Sequence, residues 1–172
     1  MSIRKIISSI ILLFLATAAI YSQGEDKPSH FGIQGGIITG ILDGRIGAGF
    51  SFHYAFRAQQ TLQPEIAISF DSQKEKTFLS GYNSSRSAVS LTPGIRINIR
   101  PQENWNPSIL VMGGIMLGKN KSNRHDDPGS SGISGVANIG VSNTINKKHM
   151  ITVGGLVGEY LDAFYIKYGY WF

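Results

Sequence analysis

The side chains best suited to acid–base chemistry in this sequence are its four histidines, His30, His53, His125 and His149. A histidine becomes a catalytic base when a serine hydroxyl and a carboxylate lie within hydrogen-bonding reach. Ser51 precedes His53 by two residues, so these two side chains share one face of a β-strand. Because that face carries small and polar residues, we interpret His53 as an interior histidine paired with a neighbour, not as part of a hydrolytic site.

Metal-binding and phosphate-binding chemistry have weak support. His125, Asp126 and Asp127 could bind a cation, but an Asp-Pro-Gly turn sequence overlaps them, which favours a solvated loop. The glycine pairs at 35–36, 113–114 and 154–155 lack the Lys-Ser or Lys-Thr of a phosphate loop. The absence of cysteine excludes thiol nucleophiles, disulfides and cysteine-based zinc sites. We therefore predict no catalytic residue, no metal and no cofactor.

The first 22 residues are typical of an export signal. Arg4 and Lys5 precede an apolar run over 6–20, which is shorter than the ~20 residues that a membrane-spanning helix needs. We predict a signal peptide over 1–22 and one mature domain over 23–172, with an uncleaved N-terminal anchor as the alternative. Without Arg4 and Lys5 the 16 basic residues fall to 14 against 11 acidic ones, a net charge of +3. That charge is too small to predict a nucleic-acid partner.

The rest of the chain alternates between apolar and polar residues, which is the pattern of half-buried β-strands. The alternation is strict in four segments, 45–57, 62–71, 88–100 and 163–172. Four weaker, glycine-rich segments complete the set, 30–39, 107–118, 131–145 and 149–158. About 150 mature residues leave roughly 19 for each strand and its connection, and a strand of an outer-membrane barrel needs ~9–11. The chain is therefore long enough for eight membrane-crossing strands.

Side-chain volume indicates which face of these strands meets lipid. One parity carries bulky residues such as Phe50, Ile68 and Ile97, whereas the other carries mostly Gly, Ala and Ser. The interior of an eight-stranded barrel is just wide enough for side chains, so the bulky parity cannot all turn inward. We therefore predict the all-β class, as an eight-stranded antiparallel transmembrane β-barrel of the outer-membrane type. A secreted soluble barrel with an apolar interior is the alternative.

A narrow lumen must neutralise its charges, because an isolated buried charge is very costly. Antiparallel pairing of the second and third strict segments could bring Glu65 opposite Arg96. We predict an ion-pair cluster that fills the lumen and blocks solutes, formed by Glu65, Asp71, Arg57, Arg96 and Arg100. A location of these groups in water at the barrel rims is the alternative. Pro93 lies inside a strict segment and predicts a bulge or a local break.

The connections alternate in length, which predicts the side of the membrane on which each lies. Segments 72–85 and 119–130 are long and polar, and the others are short. Outer-membrane barrels have long outer loops and short periplasmic turns, so the long pair should lie outside the cell. Charge could bring six residues of these loops into contact with partners or lipopolysaccharide phosphates: Lys74, Lys76, Tyr82, Lys119, Lys121 and Arg124. The predicted function is therefore a non-enzymatic structural or interaction role.

The last ten residues carry apolar or aromatic side chains at every second place: Phe164, Ile166, Tyr168, Tyr170 and Phe172. This pattern resembles the C-terminal signal that outer-membrane barrels present to their insertion machinery. Three further motifs are Phe-Gly-Ile-Gln-Gly-Gly at 31–36, Leu-Gln-Pro-Glu at 62–65 and Leu-Thr-Pro at 91–93. Together they make the mature chain similar to the small outer-membrane β-barrel family of Bacteroidetes-type bacteria, described as porin-family or PorT-like. The resemblance implies an eight-stranded fold and an outer-membrane address, with no shared activity or cofactor.

Two other functions stay open. One is a lipid A-modifying outer-membrane enzyme of the deacylase or acyltransferase type, and the other is a minor porin-like channel. A deacylase of that kind has a serine two residues after its histidine on a lipid-facing strand. None of the four histidines has a serine at that spacing.

Overall fold

The computed structural model describes residues 30–41, 45–56, 60–77, 82–122 and 129–172. The predicted signal peptide over 1–22 lies outside the described residues. In these ranges, no helix is long and apolar enough to cross a membrane. The regular elements of the described chain are all β-strands.

Eight antiparallel strands form a closed barrel in the order β1 to β8. Each strand pairs with the next, and β8 returns to β1, with Gly32 opposite Trp171 and Thr39 opposite Phe164. Closure gives every strand a hydrogen-bonded neighbour on both sides within the apolar band, as a bilayer requires. The predicted fold class is thereby confirmed. The strands are β1 His30–Thr39, β2 Ile46–Ala55, β3 Leu62–Thr77, β4 Tyr82–Asn98, β5 Trp105–Ser122, β6 Ser130–Ile145, β7 His149–Gly158 and β8 Ala163–Trp171.

The two ends of the barrel differ in their connections. The proximal end holds His30 and Trp171 together with the β2–β3, β4–β5 and β6–β7 connections. The β6–β7 connection is a tight turn in which Asn146 and Lys147 have φ of 51° and 59°. Two such residues in succession are typical of a type I′ hairpin. The distal end holds the other four connections.

At the distal end, β3, β4 and β5 extend farther than the alternation of apolar and polar residues predicts. β3 continues to Thr77 and β4 begins at Tyr82, so most of the predicted loop 72–85 is paired strand. β5 likewise continues to Ser122, four residues into the second predicted loop, 119–130. The prediction of a long loop over 72–85 is therefore wrong, because a ladder requires only backbone groups. Residues 123–128 of the second predicted loop lie outside the described residues. Outside hydrocarbon its side chains need not alternate in polarity, so the sequence pattern ends before the strands do.

Side chains alternate between an apolar outer face and a mostly polar inner face. Phe50, Ile68 and Ile97 lie on the outer face and are 41%, 43% and 38% exposed. The predicted orientation of the strict segments is therefore confirmed. The weaker segments are mixed, because β5 also turns Leu110 and Met116 into the interior. An outward apolar band of this kind is the surface that lipid stabilises.

Pro93 leaves a gap in the β4–β5 ladder without inserting an extra residue. Pairing stops after Leu91 and Ile115 and resumes at Gly94 and Met112 in the same register. Proline has no N–H to donate, which accounts for the gap. The interruption is therefore a local break; a bulge would have shifted the register by one residue.

Aromatic side chains gather on the outer face at the proximal end. Phe31 and Tyr54 have ring centroids 4.9 Å apart, and Tyr54 meets Phe56 edge-on at 4.7 Å. Tyr170 contacts Phe172 at 5.1 Å. These residues lie on β8, β1 and β2 or just beyond their ends. They form an aromatic belt of the kind found at membrane interfaces, and Trp105 adds an exposed aromatic ring at the proximal end of β5.

Val111 lies on the outer face near the middle of β5. We expect Val111→Lys to lower the free energy of unfolding by about 2–4 kcal/mol, because the ammonium group would sit in hydrocarbon. Urea unfolding of the protein folded in lipid vesicles measures the change. Ser131→Lys is the matched control, because Ser131 is exposed on the outer face at the distal end. Equal losses in the two variants would contradict a lipid-facing Val111.

Candidate functional site: lumen and distal sheet

The centre of the lumen is an ion pair between Glu65 on β3 and Arg96 on β4. Arg96 Nε donates to Glu65 Oε2 at 2.7 Å, and Nη2 donates to Oε1 at 3.1 Å. Both side chains are fully buried. The register places Gln63 opposite Arg96 and Glu65 opposite Gly94, so the two charged residues meet on a diagonal, not directly across as expected. The structure thus joins these two residues of the predicted cluster.

His53 and Ser51 extend this network across β2. His53 Nδ1 donates to Glu65 Oε1 at 2.5 Å, and His53 Nε2 is hydrogen-bonded to Ser51 Oγ at 2.9 Å. Serine, histidine and carboxylate lie in the order found in serine hydrolases. However, Ser51 is 1% exposed, and the edge of Trp171 packs against His53 with ring centroids 6.2 Å apart. The arrangement leaves Ser51 no open approach for a substrate, and it fixes His53 as a bridge between Ser51 and Glu65.

A second lumen ion pair joins strands that are far apart in the chain. Lys167 Nζ on β8 donates to Asp71 Oδ1 on β3 at 3.0 Å, with both side chains buried. The sequence analysis assigned Asp71 to the arginine cluster, and the structure instead pairs it with lysine. Lys167 is the one charged residue on the inner parity of β8. The sequence could have indicated this pair, because a single lysine on the inner face of a strand needs a buried carboxylate as its partner.

The two remaining members of the predicted cluster are placed differently. Arg100 lies beyond the end of β4 at the proximal rim, where Nη1 donates to Glu103 Oε2 at 3.2 Å and both side chains are largely exposed. Its guanidinium also lies 5.5 Å from the Trp105 ring centroid. The assignment of Arg100 to the lumen is therefore wrong, because its strand ends at Asn98. Arg57 lies outside the described residues.

The proximal mouth of the lumen holds a small cavity of about 30 Å³, which is lined mainly by polar side chains. Its lining includes Arg96 and Trp171 but neither Ser51 nor His53. Amide side chains close its floor, since Asn98 Nδ2 donates to Gln63 Oε1 at 3.1 Å and Asn106 Nδ2 donates to Asn98 Oδ1 at 3.0 Å. Among the described residues, there is no group of three or more metal-ligating side chains.

The distal half of the lumen is filled by the β7–β8 connection, which folds inward. Tyr160 and Leu161 are buried in an apolar cluster with Ile38, Met116, Val136 and Leu156. Tyr160 fills the space that side chains at Gly118 and Gly132 would need. Arg86 Nη1 anchors the connection by donating to Asp162 Oδ1 at 2.9 Å. The sequence analysis missed this plug, because a tyrosine in a short connection carries no pattern that points inward.

Four strands, β3 to β6, continue past the apolar band at the distal end and form a distal sheet. A polar row crosses their outer face directly above an apolar row. The apolar row is Phe70, Val89, Leu117 and Ile133, and the polar row is Ser72, Ser87, Lys119 and Ser131. The predicted contact residues Lys74, Lys119 and Lys121 are exposed on this sheet, and Lys76 and Tyr82 are paired within it. Arg124 lies outside the described residues.

The predicted insertion-signal residues share the outer face of β8. Phe164, Ile166, Tyr168 and Phe172 are exposed there, and Tyr170 is half-buried. Tyr168 and Tyr170 both contact His149, whose Nδ1 is hydrogen-bonded to the Tyr168 hydroxyl at 2.6 Å. These positions are compatible with lipid contact, and their role as a signal stays a prediction.

Arg96→Met would leave Glu65 buried without its guanidinium partner. We expect the free energy of unfolding to fall by about 3–5 kcal/mol, since breaking a buried ion pair leaves the remaining charge buried without a compensating partner. The double variant Arg96→Met/Glu65→Gln should recover part of that loss, because glutamine is neutral and still accepts a bond from His53. Urea unfolding in lipid vesicles measures both. Strictly additive effects of the two substitutions would rule out this coupling.

The filled lumen also predicts electrical behaviour. Purified protein in planar lipid bilayers is expected to give no steady large channels, because ion pairs and the Tyr160 plug occupy the path. A porin reconstituted in parallel provides the positive control. Steady channels from the pure protein would contradict a sealed lumen.

Comparison with known proteins gives fold-level likeness. No family model and no curated protein sequence matches the chain. Ail of Yersinia pestis, solved alone and with the heparin analogue sucrose octasulfate, is 15% and 14% identical, with a TM-score of 0.52 in both cases, covering 84% of this chain and 96% of Ail. Neisserial surface protein A is 12% identical with a TM-score of 0.47, covering 83% of this chain and 94% of that one. The likeness to Ail shows that this chain has the fold of the small eight-stranded outer-membrane β-barrels.

Proposed function

We propose that this protein is a non-enzymatic interaction protein of the bacterial outer membrane. The continuous apolar outer face carries this proposal, since an outward apolar band is stable in lipid and not in water. A signal peptide over 1–22 would direct export, and the outer face of β8 would present the insertion signal. We also propose that the chain belongs with the PorT-like small barrels of Bacteroidetes-type bacteria, on the motifs given above.

The sealed lumen supports an interaction role over transport or catalysis. Both ion pairs and the Tyr160 plug lie across the path that a solute would take. The order of Ser51, His53 and Glu65 is the observation that favours the lipid A-modifying alternative. Against it, all three side chains are buried within the barrel, whereas lipid A lies around its outer wall. An assay of lipid A acylation in a deletion strain distinguishes the two functions, and altered acylation would support the enzyme.

The outer face of the distal sheet supports contact with lipopolysaccharide. Lys74 lies on β3 and Lys119 and Lys121 lie on β5, all exposed where the apolar band ends. At this height the phosphates of an outer leaflet of lipopolysaccharide would face them. Charge attraction would then add to the burial of apolar surface. The distal end would accordingly face the outside of the cell and the aromatic belt would face the periplasm.

The location and the lipid contact can be tested together. We expect the protein to fractionate with the outer membrane and to show heat-modifiable gel mobility. In nanodiscs, lipopolysaccharide should raise the temperature of that gel shift relative to phospholipid alone. Lys74→Ser/Lys119→Ser/Lys121→Ser should lose this increase, because the phosphates lose their counter-charges.

A proximal variant provides the control for general loss of charge. Lys147→Asn/Lys148→Ser removes two exposed lysines from the opposite end, and asparagine tolerates the positive φ of position 147. This variant should keep the full effect of lipopolysaccharide. Recovery of the wild-type protein from the soluble periplasm would refute the membrane location. An equal loss in both variants would refute the distal lipid contact alone.

A further inference from the structure

The distal sheet ends at β6, and among the described residues the distal part of this strand is paired on one side only. β6 pairs with β5 from Ser130 onward, but it pairs with β7 only from Val136 onward. β7 ends at Gly158, after which the chain turns into the lumen at Tyr160. Within the part of the chain that the structure describes, residues 130–135 therefore have no paired strand on the β7 side, and we call them the free edge. Six residues of strand extend roughly 20 Å.

Backbone groups make the free edge a template for pairing. In an antiparallel ladder, alternate residues point their N–H and C=O to opposite neighbours. About half of the free edge therefore directs these groups away from β5, toward the side on which β7 is missing. A row of such groups is a site to which another strand can add.

The composition of the free edge offers no protection against pairing. Its sequence is Ser-Ser-Gly-Ile-Ser-Gly, with no proline and no charge. Natural edges are normally blunted by lysine, proline or a bulge. At the other margin of the distal sheet, β3 extends only three residues beyond its last pair with β2, which joins Ile46 and Lys74, and those three include Glu75 and Lys76. The two margins therefore differ in length and in charge.

We propose that the free edge accepts an extended segment of a partner protein as an added β-strand. The proposal rests on the proposed function, because it requires the distal end to face the cell exterior. Ile133 is 66% exposed on the outer face. Among the described residues, and apart from its two chain neighbours, no heavy atom lies within 4 Å of the place where the nearby Gly135 would carry a Cβ. An apolar side chain of the added strand fits this position.

The neighbouring strand adds a charge preference. Lys119 on β5 pairs with Ser131 of the free edge, and the exposed Lys121 follows on the same face. Both lie one strand inward from the docking position, within reach of a long acidic side chain. The expected partner segment therefore alternates apolar and acidic residues along the face that it shares with Ile133.

A partner protein fits the edge better than a second copy in the same membrane does. Copies inserted in one bilayer cross it in the same direction, so their β6 strands run the same way. Their free edges could then pair only in parallel, which is the less stable arrangement per residue. A segment of a separate protein is free to approach in the antiparallel direction.

Hydrogen exchange tests the proposal on the intact protein in phospholipid nanodiscs. The probe is the blocked peptide Thr-Val-Thr-Glu-Thr-Val-Thr-Glu, which carries valine and glutamate on one face. With this peptide bound, amides of residues 130–135 should exchange at least about tenfold more slowly, because each gains a backbone partner or is shielded by the added strand. The same peptide N-methylated at every residue should give no protection, because it has no backbone N–H to donate on either of its edges.

Substitutions separate edge pairing from general adhesion. Ser131→Lys/Ile133→Lys places charges on the free edge and should abolish protection by the peptide. Ser72→Lys/Ser87→Lys is the matched control, because these exposed residues lie on strands with neighbours on both sides. The control should keep full protection.

Three outcomes would overturn the proposal. They are unchanged exchange in the presence of the peptide, equal protection by the N-methylated peptide, and equal loss of protection in both lysine variants. Protection that appears without peptide as the protein concentration rises would assign the edge to a second copy and so overturn the partner segment. None of these results bears on where the protein fractionates, so failure here is distinguishable from failure of the proposed function.

Discussion

The requirement that every backbone N–H and C=O in the bilayer find a partner inside the protein governs this structure. Hydrocarbon offers no hydrogen bonds, so a membrane sheet must close on itself. Here the ladder between β8 and β1 makes that closure. Closing at eight strands in turn fixes a narrow interior. The bulky apolar side chains must then point outward, and the interior can hold only small residues and charges that neutralise one another.

That narrow interior explains where activity can and cannot lie. Glu65 meets both Arg96 and His53, and Asp71 meets Lys167, so the interior carboxylates already have partners. Tyr160 and Leu161 fill the distal half from a connection that folds back into the barrel. A barrel occupied in this way offers its outer wall and its rims to other molecules. The distal sheet carries a row of polar side chains on that surface beyond the apolar band.

The sequence predicts this fold well because one physical effect dominates it. Strict alternation over 45–57 or 62–71 records which side chains meet lipid, and the structure places Phe50 and Ile68 accordingly. The extension of β3 and β5 beyond the bilayer escaped prediction, because backbone pairing continues there without an apolar face. The Glu65–Arg96 pair lies on adjacent strands, so antiparallel pairing of the two sequence segments predicts that these residues are close together. The Asp71–Lys167 pair depends on the curvature of the whole barrel, which neighbouring segments do not encode.

The two walls of the barrel differ in aromatic residues and in strand length, and this difference affects the tilt of the barrel in the membrane. The wall formed by β8, β1 and β2 carries the aromatic belt at the proximal end, and the opposite wall, β3 to β6, rises farther at the distal end. Aromatic rings hold a strand at the headgroup level, so the wall with the belt is anchored by more rings than the opposite wall, which carries Trp105 at the same end. A barrel held in this way would tilt in the bilayer, and the surrounding leaflet would adjust its thickness from one side of the barrel to the other. Lipids of different length would therefore sort around its circumference.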